Sequence, residues 1–493
     1  RRYCFNIIHF TMAVSNRLKN QHLLWRAGFG PMAENAADLD KISQKELWGL
    51  LQKTSAKKPQ KINVAQNLVD GLYKGIQDVA QMQKPELTND QKKQLREQSR
   101  EDLKNLNIRW LEEMINNEAQ LREKMSLFWH GHFACRVINS YFQQELLQTI
   151  RENALGNFKD MLRAVSKSPS MISFLNNQQN RKKKPNENFA REVMELFTMG
   201  RGNYTETDIK EAARAFTGWG FNLKGEFEFR KFQHDDDKKT VLGKTGNFDG
   251  DDVLNILLEQ KQTAKYITKK IYRYFVNDKA DDAKVEWLSN RFYQSDYDIK
   301  KLLEDIFTAD WFYEEKNIGT KIKSPIELLA GIRRLLPMEM ENDQAQILFQ
   351  KTLGQILFYP PNVAGWPGGK TWIDSSSLML RLRIPQILSA NDIMDIMPKT
   401  DDDVQGGMME MAAKKLKDVT KGGTAKIDWS LAAAIFEKIP REKLLQKIAD
   451  TLLQTKGHVP DTLLEKYVNS ENRENFIKSA IVNLMSTPEY QLC

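Results

Sequence analysis

The chain has 493 residues, 41% of them hydrophobic and 28% charged, a globular composition that excludes the fibrous and disordered classes. Lys and Arg outnumber Asp and Glu by 73 to 65, a net charge of +8, but the two signs alternate along the chain, which argues against a nucleic-acid binder. Three cysteines (Cys4, Cys135 and Cys493) exclude a disulfide framework or a zinc finger, and no run approaches the ~18 apolar residues of a membrane span.

In chain order, Arg1 cannot be an initiator, and the stretch Phe5–Phe10 is interrupted by Asn6 and His9 with no small-residue cleavage site after it. Met12 is therefore the better start, residues 1–19 read as an extension of the fold, and an extracytoplasmic location requires a true N-terminus upstream. Apolar positions three and four apart predict helices over 63–83, 89–127, 141–165, 187–199, 206–216, 262–276, 297–308, 325–336, 343–357 and 376–390. Phe227, Phe229 and Phe232 predict one short β-hairpin near 217–234. A polar, Gly-containing span over 397–428 reads as a linker or surface excursion. Helices near 430–437, 441–454, 461–469 and 473–486 then pack as residues 429–493 on the core. The expected architecture is mainly α, a large single-domain helical bundle whose core spans 20–396.

Chemistry concentrates in three blocks. In KMSLFWHGHFACR, His130 and His132 are separated by Gly131. On a continuous helix positions i and i+2 diverge by ~200°, but a helix end at the glycine brings both rings together. Otherwise they belong to an aromatic core edge with Phe128, Trp129 and Phe133. In NENFAREVMELFTMG, Glu192 and Glu195 lie ~60° apart on a helix beside an apolar stripe, which drives their pKa values apart and suits metal binding or acid–base work. Arg191 offers the competing salt-bridge reading. A capped helix carrying Arg214 and a Gly-Trp-Gly turn around Trp219 lead to His234-Asp235, in which the aspartate orients the imidazole or joins it as a ligand. In LFYPPNVAGWPGGKTW, Pro367 and a missing first glycine reject a phosphate loop, and the stiff stretch with Asn362, Trp366, Lys370 and Trp372 reads as a lid or binding wall.

These blocks, with LLWRAGFGP (23–31), YTETDIKEAARAFTGW (204–219), HDDDKKTVLG (234–243), TAKYITKKIYRYFV (263–276) and STPEYQL (486–492), resemble the bacterial family catalogued as domain of unknown function 1800. The resemblance runs from about residue 20 to the C-terminus. It implies a single, largely helical domain, and a frequent genomic neighbour from a second family, numbered 1501, similar to alkaline phosphatases and sulfatases. It implies no catalytic residues.

The leading expectation is a hydrolase acting on a polar substrate, assisted by one divalent metal ion or by acid–base groups. His130, His132 and His234 hold the metal or share proton transfers. Glu192 and Glu195 supply a ligand and a general base, with Asp235 orienting His234. Arg191, Arg214, Trp219, Asn362, Trp366 and Lys370 contact substrate. The alternative is a non-catalytic assembly partner of the phosphatase-like neighbour, in which the motifs are buried polar networks.

Overall fold

The computed structural model describes residues 14–65, 88–222, 224–390, 425–455 and 460–493, and the protein is mainly helical. The first half holds α1 (Asn16–Arg26), α2 (Gln44–Ser55), α3 (Asn89–Asn116), α4 (Gln120–His132), α5 (Ser140–Asn153), α6 (Phe158–Ser166), α7 (Pro169–Phe174), α8 (Asn188–Glu192) and α9 (Glu206–Ala215). Then follow α10 (Gly250–Glu259), α11 (Lys261–Phe275), α12 (Asp282–Gln294), α13 (Ile299–Phe307), α14 (Pro325–Leu335), α15 (Asp343–Leu353) and α16 (Ser375–Ala390). The C-terminal group is α17 (Trp429–Ala434), α18 (Arg441–Leu452), α19 (Asp461–Tyr467) and α20 (Arg473–Met485).

Many starts are set by local chemistry. Ser43, Thr88, Thr205, Asp249 and Ser324 each accept a backbone amide while the third helical residue reaches back to them, which satisfies donors the helix leaves orphaned. The predicted 89–127 helix is two, because Asn117 turns extended and its Oδ1 accepts the Ala119 amide at 2.8 Å. The predicted 141–165 helix divides at Gly156, where Asn157 caps α6. Gly354, left-handed at φ 85°, ends α15 before its predicted limit. Most of 63–83 and of 397–428 lies outside the described residues.

Among the described residues, three two-stranded antiparallel sheets replace the single expected hairpin. Strand β1 (Trp219–Phe221) pairs β2 (Phe227–Phe229), with Trp219 opposite Phe229, as the sequence predicts. Strands β3 (Lys239–Val241) and β4 (Lys244–Gly246) turn at Leu242-Gly243, both at positive φ. Strand β5 (Met338–Met340) pairs β6 (Ala425–Ile427), residues distant in sequence.

One large core gathers α1, α2 and α4 to α13 around Trp129 and Phe158; a second gathers α14 to α20 around Leu328, Ile384 and Ile481. A third cluster, with Trp110, Phe29, Ile326 and Leu357, lies where α3 meets α4 and α14. Among the described residues no helix is long and apolar enough to cross a membrane.

Candidate functional site

The expected centre begins at the end of α4. This helix runs unbroken through Gly131 to His132, so the two rings point apart instead of converging. His130 enters an aromatic cage, with ring centroids of Phe358, Trp110 and Trp366 at 5.0, 5.1 and 5.6 Å. Its Nε2 accepts the Phe358 amide at 3.1 Å, and burial pushes its pKa down to about 3. The imidazole is thus a neutral acceptor that fastens the 357–372 segment to α4. That segment also touches α4 backbone to backbone. Gly365 has φ +81°, and a Cβ there would meet the Gly131 carbonyl at 2.2 Å, so no side chain fits.

His132 faces the other way. Its Nε2 donates to the Phe197 carbonyl at 3.2 Å, which leaves Nδ1 a buried lone pair with no partner among the described residues. Rings of Phe128, Trp129, Phe133, Phe158 and Phe197 surround it. Burial, then the nearby Lys270 charge, holds its pKa well below the usual imidazole value. Both histidines therefore take the core-edge role.

Phe197 belongs to a π-helical stretch, Val193–Met199, that continues α8. Such widened turns recur at functional sites. They also rearrange side chains, and the acidic pair diverges in environment. Glu195 accepts the Tyr204 hydroxyl and Arg201 Nε (2.9 Å), which hold its carboxyl below the ordinary range. Glu192 is half-buried without a hydrogen-bond or ion-pair partner among the described residues, and desolvation, then the Glu195 charge, raises its pKa. The expected separation of the two pKa values is present. Lys270, on α11, carries a pKa lowered to about 8 by burial and lies over the Tyr266 ring; Tyr274, one turn on, has a buried hydroxyl without a partner among the described residues. Neither was signalled by the sequence, because only the tertiary fold brings α11 against His132. Cys135 offers no nucleophile, since burial pushes its thiol upward.

The remaining expected residues sit in other surroundings. His234 is buried, its Nδ1 donating to the Thr217 carbonyl at 2.9 Å, with the Phe229 ring 5.1 Å away. Asp235 does not orient it. Against the desolvation of partial burial, Arg214 holds that carboxyl below its ordinary value through Nε and Nη2 at 2.8 and 3.1 Å. Arg214 also binds Glu211 and the Lys238 carbonyl, and Arg191 is clamped by Glu206 and Glu187, so neither guanidinium faces an open substrate site. Trp219 is a core residue against Phe189, Phe216 and Phe227, so close to Gly250 that a Cβ there would lie 2.3 Å from its ring. Trp366 is half-buried and Trp372 buried, the lid reading of that block; Asn362 and Lys370 are exposed, Asn362 accepting the Ala364 amide.

Among the described residues, no group of three or more His, Cys, Asp or Glu side chains could hold a metal ion. The expected set of His130, His132 and His234 with the carboxylates is not assembled, because each imidazole is turned to a different backbone group: the Phe358 amide, the Phe197 carbonyl and the Thr217 carbonyl.

A family described as "Protein of unknown function (DUF1800)" matches residues 22–492. The chain belongs to the DUF1800 family. No curated protein and no solved structure matches it. The DUF1800 match spans both large cores and every block described above.

Proposed function

We propose that this DUF1800 chain is a non-catalytic binding and assembly protein. The observation that carries the reading is the fate of its polar motif residues. Asp235, Glu195, Arg191 and Arg214 are taken up by ion pairs within the chain, and the three histidines bind backbone groups that tie one element to another. Networks so satisfied rigidify a fold and leave little free for chemistry. Among the exposed aromatics of the described residues, Phe229 and Phe232 (41% and 72% accessible) lie together beside His234, whereas Trp372 is buried and Trp366 half-buried. An amphipathic hairpin end of this kind suits a protein partner. The partner proposed is a phosphatase- or sulfatase-like protein of the family numbered 1501.

The test joins two measurements. Elemental analysis of the purified protein is expected to find no stoichiometric metal, and co-expression with the 1501-family protein is expected to give a complex that Phe232→Ser weakens. Stoichiometric metal lost on His234→Ala overturns the reading, as does a complex indifferent to Phe232.

A second reading, a hydrolase, rests on one specific observation: Glu192 raised and Glu195 lowered within one widened turn, the pattern of an acid–base couple. Hydrolytic turnover abolished by Glu192→Gln, with the fold intact, would favour it.

A further inference from the structure

The ends of α2 and α5 and the starts of α4 and α13 enclose a cleft of 460 Å³. That is the size of small-molecule sites, which run from ~300 to 1,000 Å³. Five cations line it, Lys57, Lys58, Arg122, Arg151 and Lys300, against one acid, Glu152. None of them belongs to the residues considered above. From this geometry we propose that the cleft binds a small molecule bearing a phosphate or sulfate group.

The wall is built around two buried arginines. Arg122 and Arg151 flank the fully buried Glu123, which accepts from both and from Trp110 Nε1 at 3.0 Å. Each arginine also pins the 56–60 segment, Arg122 through the Lys57 carbonyl at 2.6 Å and Arg151 through the Gln60 carbonyl at 2.7 Å. A guanidinium carries five N–H groups. Among the described residues Arg122 uses three, on Glu123 twice and Lys57 once, and Arg151 uses four, one of them on Glu113. Both guanidinium groups are held inside the wall, the Arg151 side chain fully shielded, so they give the cleft a rigid backing and leave contact with a ligand to the lysines.

The arginine charges are matched by Glu123 and Glu113, so the attractive field comes from the lysines. Lys58 reaches Glu152 at 3.3 Å and Lys57 reaches Glu118 at 3.6 Å, but both lysine side chains are about three-quarters or more exposed. Pairs so exposed are weak and are readily exchanged for a dianion. Lys300 has no acidic partner among the described residues. The volume exceeds what a bare ion fills, which leaves room for the organic part of an ester.

The test uses the full chain and two probes at constant ionic strength, inorganic phosphate and a hexose phosphate, with chloride and free hexose as controls. Calorimetric titration is expected to show saturable binding of phosphate, weakened at least tenfold by Lys57→Gln/Lys58→Gln/Lys300→Gln, whose positions are exposed enough to spare the fold. Tighter binding of the hexose phosphate than of phosphate assigns the cleft to an ester, and equal binding assigns it to the free ion. No saturable binding of either, or equal binding by the triple variant, overturns the proposal.

Discussion

Acid should act on this protein through His130. The ring is a buried acceptor for the Phe358 amide, with its pKa pushed from 6.5 down to about 3 by desolvation. Protonation would set two donors against each other inside an aromatic cage. In the unfolded chain the same imidazole titrates near its ordinary value, so between pH 6.5 and 3 the unfolded state binds more protons than the native state. Stability contributed by the neutral ring is therefore complete above pH 6.5 and lost as pH falls toward 3. With those two values, the loss from pH 8 to pH 5 is about 2 kcal/mol, and its limit at lower pH is ~4.8 kcal/mol. His130→Gln keeps a side-chain acceptor and removes the titration. Urea unfolding at pH 8 and pH 5 should show the variant losing ~2 kcal/mol less than the parent over that interval. An unchanged difference, or an NMR titration in which His130 protonates above pH 5, would refute the argument. His132 and His22, both lowered by burial, act in the same direction.

Gly365→Ala should destabilise by about 2 kcal/mol or more, from a left-handed backbone and a Cβ set against the Gly131 carbonyl; the change in thermal midpoint measures it. Removing the shared acid by Glu123→Ala strands Arg122 and Arg151 in the interior and should lower stability by about 3–5 kcal/mol, read from chemical denaturation. Glu192→Gln should raise stability at pH 7 and have no effect at pH 3, because a raised carboxyl pKa means the native state disfavours the charge and weakens as pH rises through that window. Equal effects at both pH values would show that the side chain acts by packing alone.

What the sequence made legible was local. The capping pair Thr205 and Asp208, the hairpin of Phe221 and Phe227, and the stiff loop that buries Trp372 are encoded within a few residues of themselves, and the structure has them. What it left unread depends on distant partners. The apolar stripe of 187–199 has the same spacing whether or not the last turns widen, so the π stretch carried no signal. Tyr204 and Arg201 claim Glu195 after a turn at Gly200 that periodicity does not resolve. Strand β5 finds its mate more than eighty residues later, and nothing near Met338 announces it. The histidines follow the same rule: Gly131 suggested a helix end, but the helix runs on through it to His132, and it is Gly365 of a distant segment that must be glycine to pack on the Gly131 carbonyl.

That last point bears on how such motifs are to be understood. A His-Gly-His sequence beside tryptophan and phenylalanine invites a metal, because imidazole is the commonest neutral ligand. Here the same neutrality makes imidazole the right group to bury: it offers one donor and one acceptor without a charge to desolvate. His130 uses the acceptor to hold a loop, and His132 uses the donor to hold the end of a π-helix. Among the described residues, Nδ1 of His132 and the carboxyl of Glu192 are left over, beside Lys270 and the Tyr274 hydroxyl. Of the expected acids and bases, Glu195, Asp235 and His130 are engaged within the fold, so Glu192 is the carboxylate to test first. The decisive comparison is therefore between Glu192→Gln and Glu195→Gln. The first removes an unclaimed group and should leave the fold intact, so a loss of partner binding or turnover there marks function. The second breaks the contacts to Tyr204 and Arg201, and its loss of stability marks structure.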